Sequence, residues 1–246
     1  VLTLRDPVSA AEDCLVVDNL SNGRLMISLV AGYVPSEFAM FGIDHAERAR
    51  VFEEKVEAFA AAMTGEPFEW EGRMIRVTPG PVSIPRPMIL LGGASKAGAR
   101  RAARHGDGFV VPVEADHLLE EYRSACARLG RDPGLVLSPR GPIFGYVAED
   151  VDAAWEAIGP YVLHELHAYG RFAVASGEAN HPYLGLADTQ AVRDAGIVAV
   201  LTPDECIARA KSGWTPLFKP LVGGLPPELG WASLRLFADE VLPHLG

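Results

Sequence analysis

Two glycine-bearing segments have the residue types and spacing best suited to ligand binding. Gly92, Gly93, Ala94 and Ser95 stand between an apolar run and a segment with helical periodicity. N–H groups at a helix start bind anions, and a serine hydroxyl adds a further donor. We therefore expect a phosphate site, with the N–H groups of all four residues pointing into a cavity. The same pattern also suits a plain strand-to-helix turn with Ser95 as the cap.

The second segment consists of Ala31, Gly32 and Tyr33, directly after another apolar run. Glycine allows the main chain to approach a ligand ring closely, and Tyr33 would then lie at the rim of the pocket. The alternative is a strand end at which Tyr33 packs beneath the following loop.

Few other side chains suggest catalysis. His45 and His181 lie in predicted loops and suit either proton transfer near neutral pH or an ordinary surface position. Lys219 ends a predicted strand, where it suits a phosphate or carboxylate contact or, less favourably, a Schiff base. His164 and His167 are three residues apart, whereas the helical zinc pattern needs four, so we expect no metal. Asp107, between two glycines, fits a structural turn, and no catalytic residue is assigned.

Composition excludes several classes of partner. The chain has 246 residues and a formal net charge of −10, which disfavours nucleic acid and anionic membrane surfaces. No apolar run reaches the ~20 residues that a membrane span needs. Cys14, Cys126 and Cys206 match no disulfide or metal spacing and suit a reducing, cytoplasmic compartment.

The elements that would position these residues alternate between strand and helix. Six apolar runs are predicted strands, at residues 1–4, 25–31, 88–91, 109–113, 143–147 and 215–219. Helices are predicted between them, and residues 68–77 suit a hairpin turning at Glu71 and Gly72. The pattern predicts a parallel α/β fold, either an open doubly wound sheet or a closed barrel.

An ordered series of motifs resembles luciferase-like flavin-dependent oxidoreductases. The motifs are DNLSNGR at 18–24, PVSAAE at 7–12, AGY at 31–33, PMILLGGAS at 87–95, AARHGDGF at 102–109 and PLVGGLPPE at 220–228. The last of these is similar to the ending of a subgroup that includes many deazaflavin-coenzyme enzymes. The series covers nearly the whole chain.

The resemblance implies a TIM (β/α)₈ barrel that uses FMN or the 5-deazaflavin coenzyme for hydride transfer or oxygen activation on a small organic substrate. The 31–33 segment would lie against the flavin ring and the 92–95 turn would bind its phosphate. The chain would be a single domain with a lid-like segment at about 170–200. Residues 176–187, a predicted loop, are the candidate lid within it, and a homodimer is compatible with this chain.

The same resemblance implies that the first two β/α units are absent, in agreement with an opening at residues 1–4 that reads as mid-strand. We therefore expect the 246-residue chain to be inactive by itself. The alternatives are a degenerate, non-catalytic flavin-binding subunit and a phosphate-binding barrel lyase that uses Lys219.

The chain departs from the family pattern at one strand. Where the family often has G-v-G-a-G, this chain has Ser28 and Val30 in the glycine positions. A side chain at these positions would limit how closely the main chain approaches the ring, and so affects pocket depth and the choice of flavin.

Overall fold

The computed structural model describes residues 1–111, 115–138, 140–177 and 181–245. They divide into a first unit, Val1–Ser138, and a second unit, Pro139–Gly246.

A four-stranded parallel sheet lies at the centre of the first unit. Its strands are β1 (Met26–Leu29), β4 (Met88–Gly92), β5 (Gly108–Val110) and β6 (Leu135–Leu137), adjacent in that order. Leu29 pairs with Leu91, and Gly92 pairs with Val110. Because the strands are parallel, their carboxyl ends lie at one edge of the sheet.

Helices cover one face of this sheet. The helices of the first unit are α1 (Pro7–Ser21), α2 (Pro35–Met40), α3 (Arg48–Ala62), α4 (Lys96–His105) and α5 (Asp116–Arg128). Alternate residues of β1 show the arrangement, since Ile27 and Leu29 are buried while Met26 and Ser28 are exposed. The buried set joins Phe52 of α3 in a continuous apolar core.

The ends of α1 follow the local sequence. Asp6 Oδ1 accepts the N–H groups of Val8 and Ser9 at 3.0 and 2.8 Å, and Pro7 occupies the first helical position. Asn22 and Gly23 then take left-handed φ values of 54° and 75°. A side-chain cap therefore starts α1 and a left-handed turn ends it.

A small antiparallel hairpin, β2 (Phe68–Trp70) and β3 (Arg73–Ile75), lies between α3 and β4. Its two-residue turn places Glu71 and Gly72 at φ values of 50° and 71°. This conformation matches the twist of the flanking strands and confirms the predicted hairpin.

Arg131 closes the carboxyl end of α4. Its guanidinium donates to the carbonyl oxygens of Ala103 and Gly106 at 2.8 and 2.9 Å, and to that of Arg104. The last carbonyl groups of a helix have no partner within the helix, and here one side chain from after α5 supplies it.

The second unit contains a parallel pair, β7 (Phe144–Val147) and β8 (Val198–Leu201), and a single bridge from Gly145 to Phe218. Its helices are α6 (Val151–Ala175), α7 (Thr189–Asp194), α8 (Pro203–Lys211) and α9 (Pro227–Leu236), the last followed by a π-helical turn over Phe237–Val241. Trp155, Ile158 and Val162 of α6 form the core with β7 and β8.

Two predicted strands are wrong. Residues 1–4 contain a 3₁₀ turn, Leu2–Leu4, held by a 3.2 Å hydrogen bond from the Leu2 N–H to the Val30 carbonyl. Of residues 215–219, only Phe218 forms a bridge. A short apolar run fits a buried turn as well as a buried strand, so its sequence does not decide between them. Two strands that were not predicted, β6 and β8, are present in the structure.

The parallel α/β class is confirmed, whereas closure into a barrel stays a prediction. So do the single domain and the lid-like segment. Residues 178–180 of the predicted 176–187 loop and residues 112–113 of the fourth predicted strand lie outside the described residues. The described part of the loop belongs to no helix or strand.

Candidate functional site

The structure brings the 31–33 segment and the 92–95 turn to the same edge of the sheet. Ala31 follows β1, Gly93 follows β4, and these two strands are parallel neighbours in which Leu29 faces Leu91. The two segments were selected separately in the sequence, more than 50 residues apart. Ligands of parallel α/β sheets bind outside the carboxyl ends of the strands, so this edge is the candidate site.

Ser95 joins the turn to α4. Its hydroxyl oxygen accepts the N–H of Gly98 at 3.1 Å, which caps the helix and leaves the hydroxyl proton free to be donated. The first N–H groups of a helix have no acceptor within it, and residues 94–97 are exposed. These groups are therefore the donors available to an anion.

Gly93 plays a different part from the one expected. Its N–H donates to the Val110 carbonyl at 3.2 Å, so this group extends the sheet instead of binding a ligand. A Cβ on Gly93 would lie 3.2 Å from the Cα of Gly98. The turn thus packs closely on the first turn of α4, and a side chain at residue 93 would need Gly98 to shift by a few tenths of an ångström.

Val30 fills the space beside Gly92. A Cβ on Gly92 would lie 2.7 Å from Val30 Cγ1, closer than real Cβ atoms approach. Val30 stands in one of the glycine positions of the family pattern, and 37% of its surface remains exposed. The glycine at 92 and the valine at 30 therefore complement each other in shape at this edge.

The 31–33 segment is anchored by the start of the chain. The hydroxyl of Thr3 donates to the Ala31 carbonyl at 2.7 Å. Gly32 has a φ of 82°, and a Cβ there would lie 2.7 Å from Val1 Cγ1 and 3.2 Å from the ring of Phe38. Only glycine fits this position, while Tyr33 beside it is 38% exposed.

His45 lies next to this segment. Its Nε2 is 3.1 Å from the Tyr33 carbonyl oxygen, and its ring packs edge-on against Phe38 at 5.0 Å. A carbonyl oxygen only accepts, so Nε2 carries the proton in this contact and Nδ1 is left as an acceptor. His45, one of the two predicted candidates for proton transfer, thus lies beside the 31–33 segment.

The comparisons decide the family. A family model described as a luciferase-like monooxygenase matches residues 1–214. The chain belongs to the luciferase-like monooxygenase family.

Solved structures agree with this assignment. Monooxygenase RslO1 from Streptomyces bottropensis is 25% identical with a TM-score of 0.68, covering 100% of this chain and 76% of that one. The oxygenating constituent of 3,6-diketocamphane monooxygenase from Pseudomonas putida, solved with FMN, is 17% identical with a TM-score of 0.63, covering 98% and 77%.

A coenzyme F420-dependent tetrahydromethanopterin reductase from Methanopyrus kandleri is 16% identical with a TM-score of 0.51, covering 98% of this chain and 80% of that one. At 17% and 16% identity, the diketocamphane monooxygenase constituent and this reductase show a similar fold and nothing more.

In this luciferase-like chain, the aspartate of the DNLSNGR motif is structural. Asp18 is fully buried and accepts the N–H groups of Val82 and Ser83 at 2.8 and 3.0 Å and the Ser83 hydroxyl at 2.7 Å. Burial raises the pKa of this carboxyl, but the hydrogen bonds from Ser83 and Val82 outweigh it, and the pKa is lowered. The sequence analysis missed this contact, although an aspartate on the buried face of α1 was a usable signal.

Asp107 has the structural role expected of it. It accepts two hydrogen bonds from Arg86, at 2.6 and 3.0 Å, and the Ile89 N–H at 2.8 Å. Burial opposes ionisation, but the Arg86 and Ile89 hydrogen bonds prevail and lower the pKa of Asp107. Because Asp107 precedes β5, the pair fixes the amino edge of the sheet, opposite the candidate site.

In the second unit of this luciferase-like chain, Lys219 forms an ion pair with Glu165, whose other oxygen accepts the Gly223 N–H at 2.9 Å. The ammonium also lies 5.3 Å from the centre of the Tyr169 ring. These contacts engage the Lys219 amine, whereas a Schiff base needs an amine that is available as a nucleophile. The lyase alternative is therefore disfavoured.

The remaining histidines do not converge. His167 Nε2 is 2.7 Å from the Leu186 carbonyl, and His181 Nδ1 is 3.4 Å from the Tyr183 N–H. Within the described ranges, no group of three or more His, Cys, Asp or Glu side chains is arranged to hold a metal ion. Nor does that part of the chain contain a helix long and apolar enough to cross a membrane.

Proposed function

We propose that this chain is a flavin-dependent oxidoreductase or monooxygenase that acts on a small organic substrate. One observation carries the proposal: the 31–33 segment and the exposed start of α4 lie side by side at the carboxyl edge of one parallel sheet. Family membership supports it. The cofactor is FMN or the 5-deazaflavin coenzyme, since structures of the same fold are described with each.

The residues present fit such a cofactor. An anionic phosphate suits the N–H groups of residues 94–97, the Ser95 hydroxyl and the nearby ammonium of Lys96. The main chain at Ala31 and Gly32 offers a surface for the ring, with Tyr33 at its rim.

When bound, the flavin supplies the hydride transfer or the activation of oxygen. The chain binds and orients the ring and limits access of water at this edge. His45 Nδ1 is a proton acceptor next to the 31–33 segment. Its role in proton transfer, like residues 176–187 as a lid, is part of the proposal.

Titration with FMN and with the deazaflavin coenzyme, followed by absorbance, tests the proposal. Ser95→Gly removes the hydroxyl and costs the helix cap only a few tenths of a kcal/mol. Loss of a charge-assisted hydrogen bond should lower affinity for the bound cofactor roughly ten- to a hundredfold. Ser95→Thr, which keeps the hydroxyl, is the matched control.

No binding of either cofactor by the unmodified chain would overturn the proposed function. Unchanged affinity in Ser95→Gly would remove the phosphate from this turn while leaving the function intact. Cytoplasmic location and the homodimer remain proposals, which fractionation and sedimentation analysis check.

A further inference from the structure

The second unit contains a cavity of about 780 Å³ beside β8. Its wall includes the four residues of β8, Val198–Leu201, and the buried indoles of Trp155 and Trp214. This volume falls in the range of small-molecule sites. No residue of the 31–33 segment or the 92–95 turn is among the described residues that line it.

Three arginines, Arg140, Arg193 and Arg209, reach this cavity. Arg193 is neutralised by Asp152 at 2.7 Å. Within the described ranges, neither Arg140 nor Arg209 has an acidic partner, and the guanidinium of Arg209 lies 5.8 Å from the centre of the Trp214 ring. Stacking on an aromatic ring leaves the edge of a guanidinium available for hydrogen bonds.

The acidic residue at the cavity does not cancel this charge directly. Glu205 is engaged at the start of α8, where its carboxylate accepts the N–H and hydroxyl of Thr202 at 2.9 and 3.1 Å. Two guanidinium groups thus face one cavity with no acidic partner, in a chain whose formal net charge is −10. Concentration of positive charge in a concave, partly apolar site attracts anions.

We propose that this cavity binds a small organic anion carrying a phosphate or a carboxylate group. The oxygens of the anion accept from the guanidinium forks of Arg140 and Arg209, whose planar geometry matches both groups. The apolar part of the molecule lies against Val198–Leu201. The residues that line this cavity belong to the second unit, and the proposal does not depend on the proposed function.

Isothermal titration with inorganic pyrophosphate and with citrate tests the proposal, and the two arms distinguish phosphate from carboxylate. The full chain is compared with Arg140→Gln, Arg209→Gln and the double variant. Whichever probe binds the unmodified chain, each single change should lower its affinity at least tenfold. Arg73→Gln makes the same change in net charge at an arginine 64% exposed on the hairpin, and should leave binding unchanged.

Circular dichroism establishes that each variant is folded. Arg209→Lys keeps the positive charge but loses the forked geometry of the guanidinium. Its affinity should therefore lie between that of the unmodified chain and that of Arg209→Gln. Failure of both probes to bind at millimolar concentration would overturn the proposal. Unchanged binding in Arg140→Gln and Arg209→Gln would also overturn the proposal. Loss of binding in Ser95→Gly would instead assign the anion to the 92–95 turn.

Discussion

At the scale of residues, a buried carboxylate ties α1 to the connector that precedes β4. Asp18 accepts three hydrogen bonds from Val82 and Ser83, and its pKa is lowered by these bonds in spite of burial. A carboxyl whose folded pKa is below its unfolded value stabilises the fold fully above the unfolded value. That stabilisation is lost as the pH falls through the folded value.

We predict that Asp18→Ala lowers the free energy of unfolding at neutral pH by about 3 kcal/mol, because three donors lose a charged acceptor. Between about pH 4 and the folded pKa, the unmodified chain should lose this advantage, so the difference from Asp18→Ala should shrink as the pH falls. Urea unfolding across pH measures it. Asp13→Ala, which removes an exposed ion pair on the same helix, should change stability by under about 1 kcal/mol. A pH-independent difference would contradict the prediction.

Residues that act within their own helix turn were predictable, and those that act across the chain were not. Asp6, Ser95 and Thr202 cap the helices that follow them, so short-range sequence carries their role. Asp18 meets Val82 and Ser83, 64 and 65 residues away. The place of Asp18 on the buried face of α1 indicates that its carboxylate needs a partner, but nothing near it in the sequence identifies Val82 and Ser83. The hydrogen bond that occupies the Gly93 N–H was missed for the same reason.

At the scale of elements, strand β5 depends on a glycine at its first position. A Cβ on Gly108 would lie 2.1 Å from the Leu135 carbonyl oxygen of β6 and 2.6 Å from Leu90 Cδ2 of β4. Both neighbours flank β5 in the sheet, and one of the clashes is with backbone, which cannot rotate away. The side chain is therefore excluded by the spacing of the strands themselves.

We predict that Gly108→Ala destabilises the chain by about 3 kcal/mol, the upper part of the range for overpacking. Thermal and urea unfolding measure the change. Gly80→Ala is the control, because a Cβ there meets nothing within 4 Å. Equal stability of the two variants would mean that β5 and β6 separate at little cost.

Helix ends carry clearer signals in this sequence than strands do. Caps, prolines and glycine stops mark helix ends, whereas a strand of three or four residues has only its apolar character to identify it. That character marks residues 215–219, which provide a single bridge, and residues 135–137, which form β6. Whether such a run forms a strand depends on hydrogen bonding to a neighbouring strand, and neither run contains a signal for that pairing.

At the scale of the whole molecule, each unit carries one buried thiol. Cys126 is 1% exposed in the core of the first unit, and Cys206 is fully buried in the second. Burial raises the pKa of Cys206, against a smaller opposing effect of Arg209, and this further reduces its reactive thiolate form. Reaction of each thiol with a reagent therefore measures unfolding of the core that surrounds it.

In a Cys14→Ser variant, which removes the partly exposed thiol, we predict that neither remaining cysteine reacts rapidly with a thiol reagent under native conditions. Both should react at once in denaturant, and mass spectrometry of the peptides distinguishes them. Free Cys14 in the unmodified chain is the internal comparison. Rapid native labelling of Cys206 would show that α8 opens readily from its core.

The order of the strands within a sheet was beyond prediction from pattern alone, because it depends on which faces pack together. The motif series nevertheless identified the family and the edge of the sheet where its segments meet. That the 246-residue chain is inactive by itself stays a prediction, and the cofactor stays either FMN or the 5-deazaflavin coenzyme.

The contacts of Arg131 have an electrostatic consequence for the opposite end of α4. Aligned peptide dipoles give a helix a partial positive charge at its amide end and a partial negative charge at its carbonyl end. Arg131 places a full positive charge on the carbonyl end. The negative pole is thereby offset, and the amide end at Ser95 remains as an unbalanced positive pole. A single guanidinium thus makes the field of the whole helix more attractive to an anion about 15 Å away.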